Sequence, residues 1–166
     1  MKGLNYMENK LSAKRVADSE VEQVQAIMPN HLNGSGRVFG GQLAAWIDIV
    51  GGIVARRHAN RNVTTAAIDN LQFKEAVYEN SIVVLHGKIT YVGRTSMEVR
   101  VDSFVESLSG ERKLVNTAYL VEVALDDDGN PTTVPGLILE NFQEQAEWEA
   151  GEKRRELRHQ RHREAF

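Results

Sequence analysis

The feature that most constrains this chain is the segment from Asn33 to Asp48, in which a glycine-rich turn leads directly into an apolar helix. Between Val38 and Ala55 the only polar side chains are Gln42 and Asp48. Burying an ionised carboxylate among apolar neighbours costs free energy unless other groups compensate for it. The chain therefore has to enclose a long apolar helix and to give one carboxylate on that helix a particular environment.

The start of this helix supplies hydrogen-bond donors. Gly40 and Gly41 would leave backbone N–H groups unpaired at the helix N-terminus, where the helix dipole is positive. Free donors together with the Asp48 carboxylate are the groups needed for water to attack a carbonyl. The same residues also fit a structural interpretation, in which the glycines permit a close contact and Asp48 lies on a polar stripe or in a buried ion pair. The residues by themselves leave both interpretations open.

Composition excludes several kinds of site. The chain of 166 residues contains no cysteine, which rules out disulfides, thiolate nucleophiles and cysteine-bound zinc. The five histidines show no metal-binding spacing, so we expect no metal site. Residues 1–10 have no apolar run of signal-peptide length, and nothing in the chain approaches a transmembrane span. These features predict a cytoplasmic protein of one domain.

The hydrophobic pattern predicts one long helix and about five strands. Apolar residues at the helical period predict a helix from about Gly40 to about Arg57, and its small residues, such as Gly51 and Ala55, should let other elements approach closely. The predicted strands cover residues 13–28, 63–73, 81–92, 95–105 and 114–125. This order predicts an α+β domain, in which one long buried helix is wrapped by a curled antiparallel sheet of about five strands.

The segment from Glu140 to Ala165 is predicted to form a second, highly charged helix. Its acidic residues come first and its basic residues last, an order that complements the helix dipole and favours a solvated helix. The alternative is a basic end that reaches a phosphate-bearing ligand or a neighbouring subunit. Nucleic-acid binding is disfavoured because no aromatic residues interleave with the basic ones and acidic residues interrupt them.

Several separated motifs resemble those of the hotdog-fold acyl-CoA thioesterases. They follow the order found in that family and span roughly residues 13–137, with residues 1–12 as a flexible N-terminus and residues 138–166 as the charged C-terminal helix. The matching positions are Met28-Pro29, Asn33, Gly36, Phe39-Gly40-Gly41, Trp46-Ile47-Asp48, Val63-Thr64, Asp69, Phe73, the run from Gly93 to Val99, and Val123-Ala124-Leu125 preceding Gly129. The dehydratases of the same fold carry an active-site histidine that this helix lacks.

The resemblance implies a hotdog fold and a homodimer as the catalytic unit, often assembled into a hexamer (a trimer of dimers). It implies that Asp48 is the catalytic carboxylate, acting as general base or as nucleophile. The N–H groups of Gly41 and Gly40 would polarise the thioester carbonyl, and Asn33 of the other subunit would contribute its side-chain amide. Taken alone, Asn33 fits only a turn. Asp69 also matches the family pattern, but we expect a structural role for it.

CoA carries three phosphate groups, so its binding site should supply cations and backbone donors. The main candidates are Arg94, Thr95 and Ser96, which lie at a predicted hairpin turn. The alternative interpretation is a simple turn with a solvated arginine. Weaker candidates in the charged helix are Lys153, Arg154 and Arg155.

The sequence and the resemblance together predict hydrolysis of acyl-CoA to free CoA and a carboxylic acid. We expect no cofactor apart from the CoA of the substrate, and neither a nucleic-acid nor a membrane partner. A non-catalytic acyl-CoA sensor of the same fold is the alternative. Asp48 and Asn33 argue against the sensor, because binding alone needs no buried carboxylate.

Overall fold

A long helix, α1 (Gly40–Ala59), packs against a five-stranded antiparallel sheet in the computed structural model, which describes residues 11–165. The strands of this sheet are β2 (Val21–Ala26), β3 (Asn62–Asp69), β4 (Ile82–Val92), β5 (Ser96–Glu106) and β6 (Arg112–Leu125). Their order across the sheet is β2-β4-β5-β6-β3. Two short strands, β1 (Lys14–Arg15) and β7 (Leu137–Ile138), pair in parallel, and a second helix, α2 (Phe142–Arg163), follows. The predicted α+β hotdog arrangement is confirmed.

The boundaries of two predicted strands differ from the observed ones. The predicted strand 13–28 is divided into β1, a short 3-10 turn and β2. The predicted strand 63–73 ends at Asp69, because Asn70 adopts a left-handed backbone conformation with φ of 59° and the chain leaves the sheet there. The predicted flexible segment 1–12 lies outside the described residues except for its last two. No helix among residues 11–165 is long and apolar enough to cross a membrane.

One side of α1 forms the centre of the core. Ile47, Val50 and Val54 are fully buried against the sheet. Gly51 is required for this contact, because a Cβ atom there would lie 2.7 Å from the Leu120 side chain of β6. The helix is enclosed on this side only: Ile49, on another side, is 51% exposed. The expectation of a fully enclosed helix is wrong for the single chain, because a half-barrel sheet covers only one side of the helix it holds.

The second helix packs on the opposite face of the sheet. The centroids of the Trp148 and Tyr91 rings are 4.4 Å apart. Gly151 is buried at the same contact, where a Cβ atom would lie 2.8 Å from Tyr91. Arg158 of α2 forms ion pairs with Glu98 of β5 and Asp69 of β3. The predicted charged helix is thus present, but only its outer side is solvated, whereas the predicted helix was solvated as a whole. Asp69 has the structural contacts that we expected of it.

Candidate active site

Asp48 lies next to a threonine and a second carboxylate. The Thr65 Oγ1 atom of β3 is 2.7 Å from Asp48 Oδ1. The same hydroxyl is 3.1 and 3.3 Å from the two carboxylate oxygens of Glu122 on β6. Asp48 is half-buried, whereas Glu122 is completely buried. One hydroxyl therefore connects two acidic side chains, only one of which is accessible to solvent.

Strand pairing creates this arrangement. Thr65 and Glu122 are directly opposite each other in the antiparallel β3–β6 pair, and the register shifts immediately afterwards, at Ala66. Such bulges locally change the direction of a strand and are common beside active sites. Glu122 occupies the same face of β6 as the buried Leu120 and Ala124, so its side chain points toward α1. The Asp48 carboxylate meets the pair from the helix.

The environment changes the acidity of Glu122. Burial raises the pKa of the Glu122 carboxyl to about 7, because the charged form loses its hydration. A hydrogen bond donated by Thr65 to the ionised carboxylate would lower this pKa, whereas the nearby Asp48 carboxylate raises it. A carboxyl group that titrates near neutral pH beside a second carboxylate is typical of catalytic sites.

The helix N-terminus presents the donors predicted from the sequence. Among residues 11–165, no hydrogen bond uses the N–H of Gly40 or Gly41 as donor, and the N-cap residue Phe39 provides no side-chain cap. The Phe39 ring lies close to Gly41, and a Cβ atom at this position would overlap the ring in its present orientation. Both N–H groups are available to an external acceptor.

Asn33 lies beside these glycines rather than beside Asp48. Its Oδ1 atom accepts hydrogen bonds from the backbone N–H groups of Ser35 and Arg37 at 2.9 and 3.3 Å, as the turn interpretation predicted. Its Nδ2 atom donates to no group among residues 11–165, so the amide N–H groups are available to a ligand. Asn33 and Gly40 line a cavity of about 350 Å³ together with Leu43 and Phe73.

A single chain does not bring all the predicted site residues together. Asp48 comes seven residues after Gly41, which places it about 10 Å further along α1. One group of residues, Asn33, Gly40 and Gly41, therefore lies at the start of the helix, and the other, Asp48 with Thr65 and Glu122, lies at its middle. A thioester carbonyl could not contact the Gly41 N–H and Asp48 of the same chain at hydrogen-bond distance.

The hairpin between β4 and β5 contains the predicted CoA-binding residues. Thr95 and Ser96 line a cavity of about 340 Å³ beneath α2, which Arg155 and His159 also line. Arg94 is exposed and does not line this cavity. The other two weaker candidates are placed differently: Lys153 is exposed, and Arg154 is committed to an ion pair with Glu98. Within residues 11–165, no group of three or more acidic or histidine side chains is placed to hold a metal ion.

Sequence reasoning missed Thr65 and Glu122. Thr65 stands beside the Val63-Thr64 motif, but nothing in the local sequence distinguishes it from Thr64. Glu122 gave a clearer signal, because it falls in the inward register of β6, among Ala118, Leu120 and Ala124. A charged residue in an apolar register is unusual, and alternation along the strand could have identified it.

Comparison with known proteins identifies the family. Residues 35–109 match the model of the thioesterase superfamily. An uncharacterised acyl-CoA thioester hydrolase of Bacillus subtilis, YkhA, is 37% identical over 128 residues, which cover 76% of this chain and 74% of that protein. The chain belongs to the acyl-CoA thioesterase family. A cytosolic acyl coenzyme A thioester hydrolase of Rattus norvegicus is 30% identical over 84% of this chain, but the chain spans only 37% of that longer relative.

Solved thioesterase structures share the fold along almost the whole chain. A hexameric acyl-CoA thioesterase in its apo form is 35% identical and superimposes with a TM-score of 0.87, covering 91% of this chain and 97% of the other. The acyl-CoA hydrolase of Staphylococcus aureus, in complex with butyryl-CoA and CoA, is 31% identical with a TM-score of 0.87, covering 92% and 94%. Further structures of that enzyme carry alanine in place of an asparagine, an aspartate or a threonine.

Proposed function

We propose that this protein hydrolyses acyl-CoA thioesters to free CoA and a carboxylic acid. The observation that carries the proposal is the Asp48 carboxylate, which stands in the apolar stretch from Leu43 to Ala55 and is held by the Thr65 hydroxyl at 2.7 Å. The chain that carries it belongs to the acyl-CoA thioesterase family. Such a carboxylate can remove a proton from water as the water oxygen attacks the thioester carbon, or can attack that carbon itself. In both cases the bond between the acyl carbon and sulfur breaks, and CoA leaves as a thiolate. Direct attack leaves the acyl group on Asp48 as an anhydride, which water then hydrolyses to the carboxylic acid and free Asp48.

The spacing of polar residues supports these assignments. In the S. aureus enzyme, the asparagine, aspartate and threonine that were changed to alanine are 15 and 17 positions apart. Asn33, Asp48 and Thr65 have the same spacing in this chain. We therefore assign Thr65 to the site with Asp48, and Asn33 to the group that binds the substrate carbonyl.

The remaining part of the site is a set of donors for the oxyanion. The free N–H groups of Gly41 and Gly40 would stabilise the negative charge that develops on the thioester oxygen, together with the Asn33 amide. Because these groups lie about 10 Å from Asp48 of the same chain, we propose that two chains form each site. Each dimer would then contain two identical composite sites, and hexameric relatives indicate that such dimers can assemble further.

The cavity beneath α2 is suited to the nucleotide end of CoA. Thr95 and Ser96 supply hydroxyl groups, and Arg155 supplies a positive charge, while Arg94 stands exposed at the adjacent turn. The thiolate product needs no strong general acid, because a thiol pKa of about 8.5 is close to neutral pH. We propose a reaction without a cofactor and, from the cytosolic relatives, a cytosolic location.

The experiment is a screen of acyl-CoA substrates of graded chain length with a free-thiol readout. We expect Asp48→Ala to lower turnover at least about 100-fold, at the low end of general-base contributions, while folding and CoA binding persist. The exposed Asp127→Ala is the matched control and should retain normal turnover. CoA binding without hydrolysis by the unmodified protein would instead indicate a sensor, and near-normal turnover of Asp48→Ala would remove Asp48 from the mechanism.

A further inference from the structure

We propose that Glu122 is a positioning residue for Asp48: as a neutral acid it donates a hydrogen bond to Thr65 Oγ1, so that the single Thr65 proton is directed to the Asp48 carboxylate. The inference rests on the proposed thioesterase function and assigns a role to a residue that the proposed reaction leaves unused.

The Thr65 hydroxyl has too few protons for two ionised neighbours. A threonine hydroxyl has one hydrogen to donate, and Thr65 Oγ1 lies within hydrogen-bond distance of both Asp48 and Glu122. If both carboxyl groups were ionised, only one of them could accept that hydrogen. The other carboxylate would then lie against the hydroxyl oxygen with no hydrogen between them. Both contacts are hydrogen bonds only when one of the two carboxyl groups carries a proton of its own.

Burial favours Glu122 over Asp48 as the group that carries the additional proton. Glu122 is completely buried, whereas Asp48 is half-buried, so ionisation costs more at Glu122. Within residues 11–165, Glu122 faces Asp48 from α1, Thr65 from β3 and Met97 from the paired strand β5. None of the three is a cation that would stabilise an ionised Glu122. The raised pKa of Glu122, about 7, agrees with this assignment.

The arrangement makes the site sensitive to pH. With Glu122 neutral, Thr65 donates to Asp48 and fixes the orientation of the catalytic carboxylate. When Glu122 loses its proton, two carboxylates compete for the Thr65 hydrogen, and a second negative charge lies near the developing oxyanion. Both changes oppose catalysis, so kcat should fall as pH rises above about 7.

The test compares two variants across pH. In Glu122→Gln the side-chain amide keeps a donor toward Thr65 but cannot ionise, so kcat should stay within about threefold of the unmodified enzyme at pH 6 and should not fall on the alkaline side. Glu122→Leu removes the donor and should lower kcat about tenfold or more at pH 6, with a smaller change in KM. Two results would overturn the proposal: a Glu122→Gln enzyme as slow as Glu122→Leu, or one with the same alkaline fall as the unmodified enzyme.

A second readout is independent of catalysis. Because burial raises the pKa of Glu122 from 4.5 to about 7, the folded state binds more protons than the unfolded state between these values. Stability of the unmodified protein should therefore fall relative to Glu122→Gln as pH rises through this interval. A melting-temperature difference that does not change between pH 4.5 and 7 would overturn the assignment of a neutral Glu122. If no acyl-CoA is hydrolysed at all, the proposed function fails, and this measurement still decides the protonation of Glu122.

Discussion

Asp48, Glu98 and Glu122 are carboxylates that stand in apolar stretches of sequence and occupy three different environments. Glu98 is 1% exposed, and the guanidinium groups of Arg154 and Arg158 balance its charge. Glu122 is equally buried, and its polar neighbours among the described residues are a hydroxyl and another carboxylate. Asp48 is half-buried and shares that hydroxyl. Its ion pairs make Glu98 a structural group, whereas burial without a cation changes the acidity of Glu122.

Arg94 allows a test of the proposed nucleotide site at the level of one side chain. It is exposed at the β4–β5 turn, beside the cavity lined by Thr95 and Ser96. We expect Arg94→Ala to raise KM for acyl-CoA and to leave kcat nearly unchanged, because it removes binding that is equal in the ground and transition states. Acyl-pantetheine substrates lack the nucleotide and should be almost indifferent to the change. Equal loss with both substrates would show that Arg94 acts on the fold instead.

Strand β5 shows that alternation along the sequence predicts the two faces of a strand but not what covers each face. In β5, Met97, Val99 and Val101 alternate with polar residues, as expected of a strand with one solvated face. In the structure both faces are covered, because α2 packs over the polar one and its arginines neutralise Glu98. Local alternation correctly predicted the strand and its two faces. It could not predict the second layer, which depends on where a distant helix docks.

The Glu98–Arg154 pair should be important for docking α2. Arg154 donates to the Glu98 carboxylate from two N–H groups, on Nε and Nη2, and its guanidinium lies over the Tyr119 ring at 3.8 Å. We expect Arg154→Met to lower the free energy of unfolding by about 3 kcal/mol, because it leaves a buried carboxylate with less compensation. The preceding residue, Lys153, is exposed, so Lys153→Ala should change it by no more than about 0.5 kcal/mol. Urea denaturation measures both values, and equal effects would argue against the pair.

In the whole molecule, the single chain holds the proposed site residues in two separate groups and leaves part of its apolar surface exposed. Ile49 of α1 is 51% exposed, and β3 lies at an edge of the sheet, where no other strand of residues 11–165 pairs with its outer side. Exposed apolar surface beside an open strand edge favours association with a second chain. The separation of Asn33 from Asp48 along the fold leads to the same expectation, since a second copy would supply the missing half of each site.

Mixing two inactive variants tests the shared site. Chains carrying Asn33→Ala and chains carrying Asp48→Ala should each be inactive. A mixed dimer would contain one site with both changes and one intact site. Random pairing makes half of the dimers mixed, so activity should recover to about one quarter of the normal value. If both residues served a site within one chain, no mixed dimer would contain an intact site, and activity would stay at the level of the two parents.

Local sequence patterns were enough to predict the long helix, the succession of strands along the chain, the glycine donors at the helix start and the isolated Asp48, because each depends on neighbours within a few turns or along one strand. That Thr65 and Glu122 face Asp48 depends on tertiary structure, since the contact requires the register of two strands that pairs residues 57 positions apart in the chain. Tertiary structure also decided that Arg154 lies against Glu98, and that Asn33 is distant from Asp48. Sequence patterns report local preferences, whereas a site is made by residues that strand pairing and helix docking bring together from distant parts of the chain.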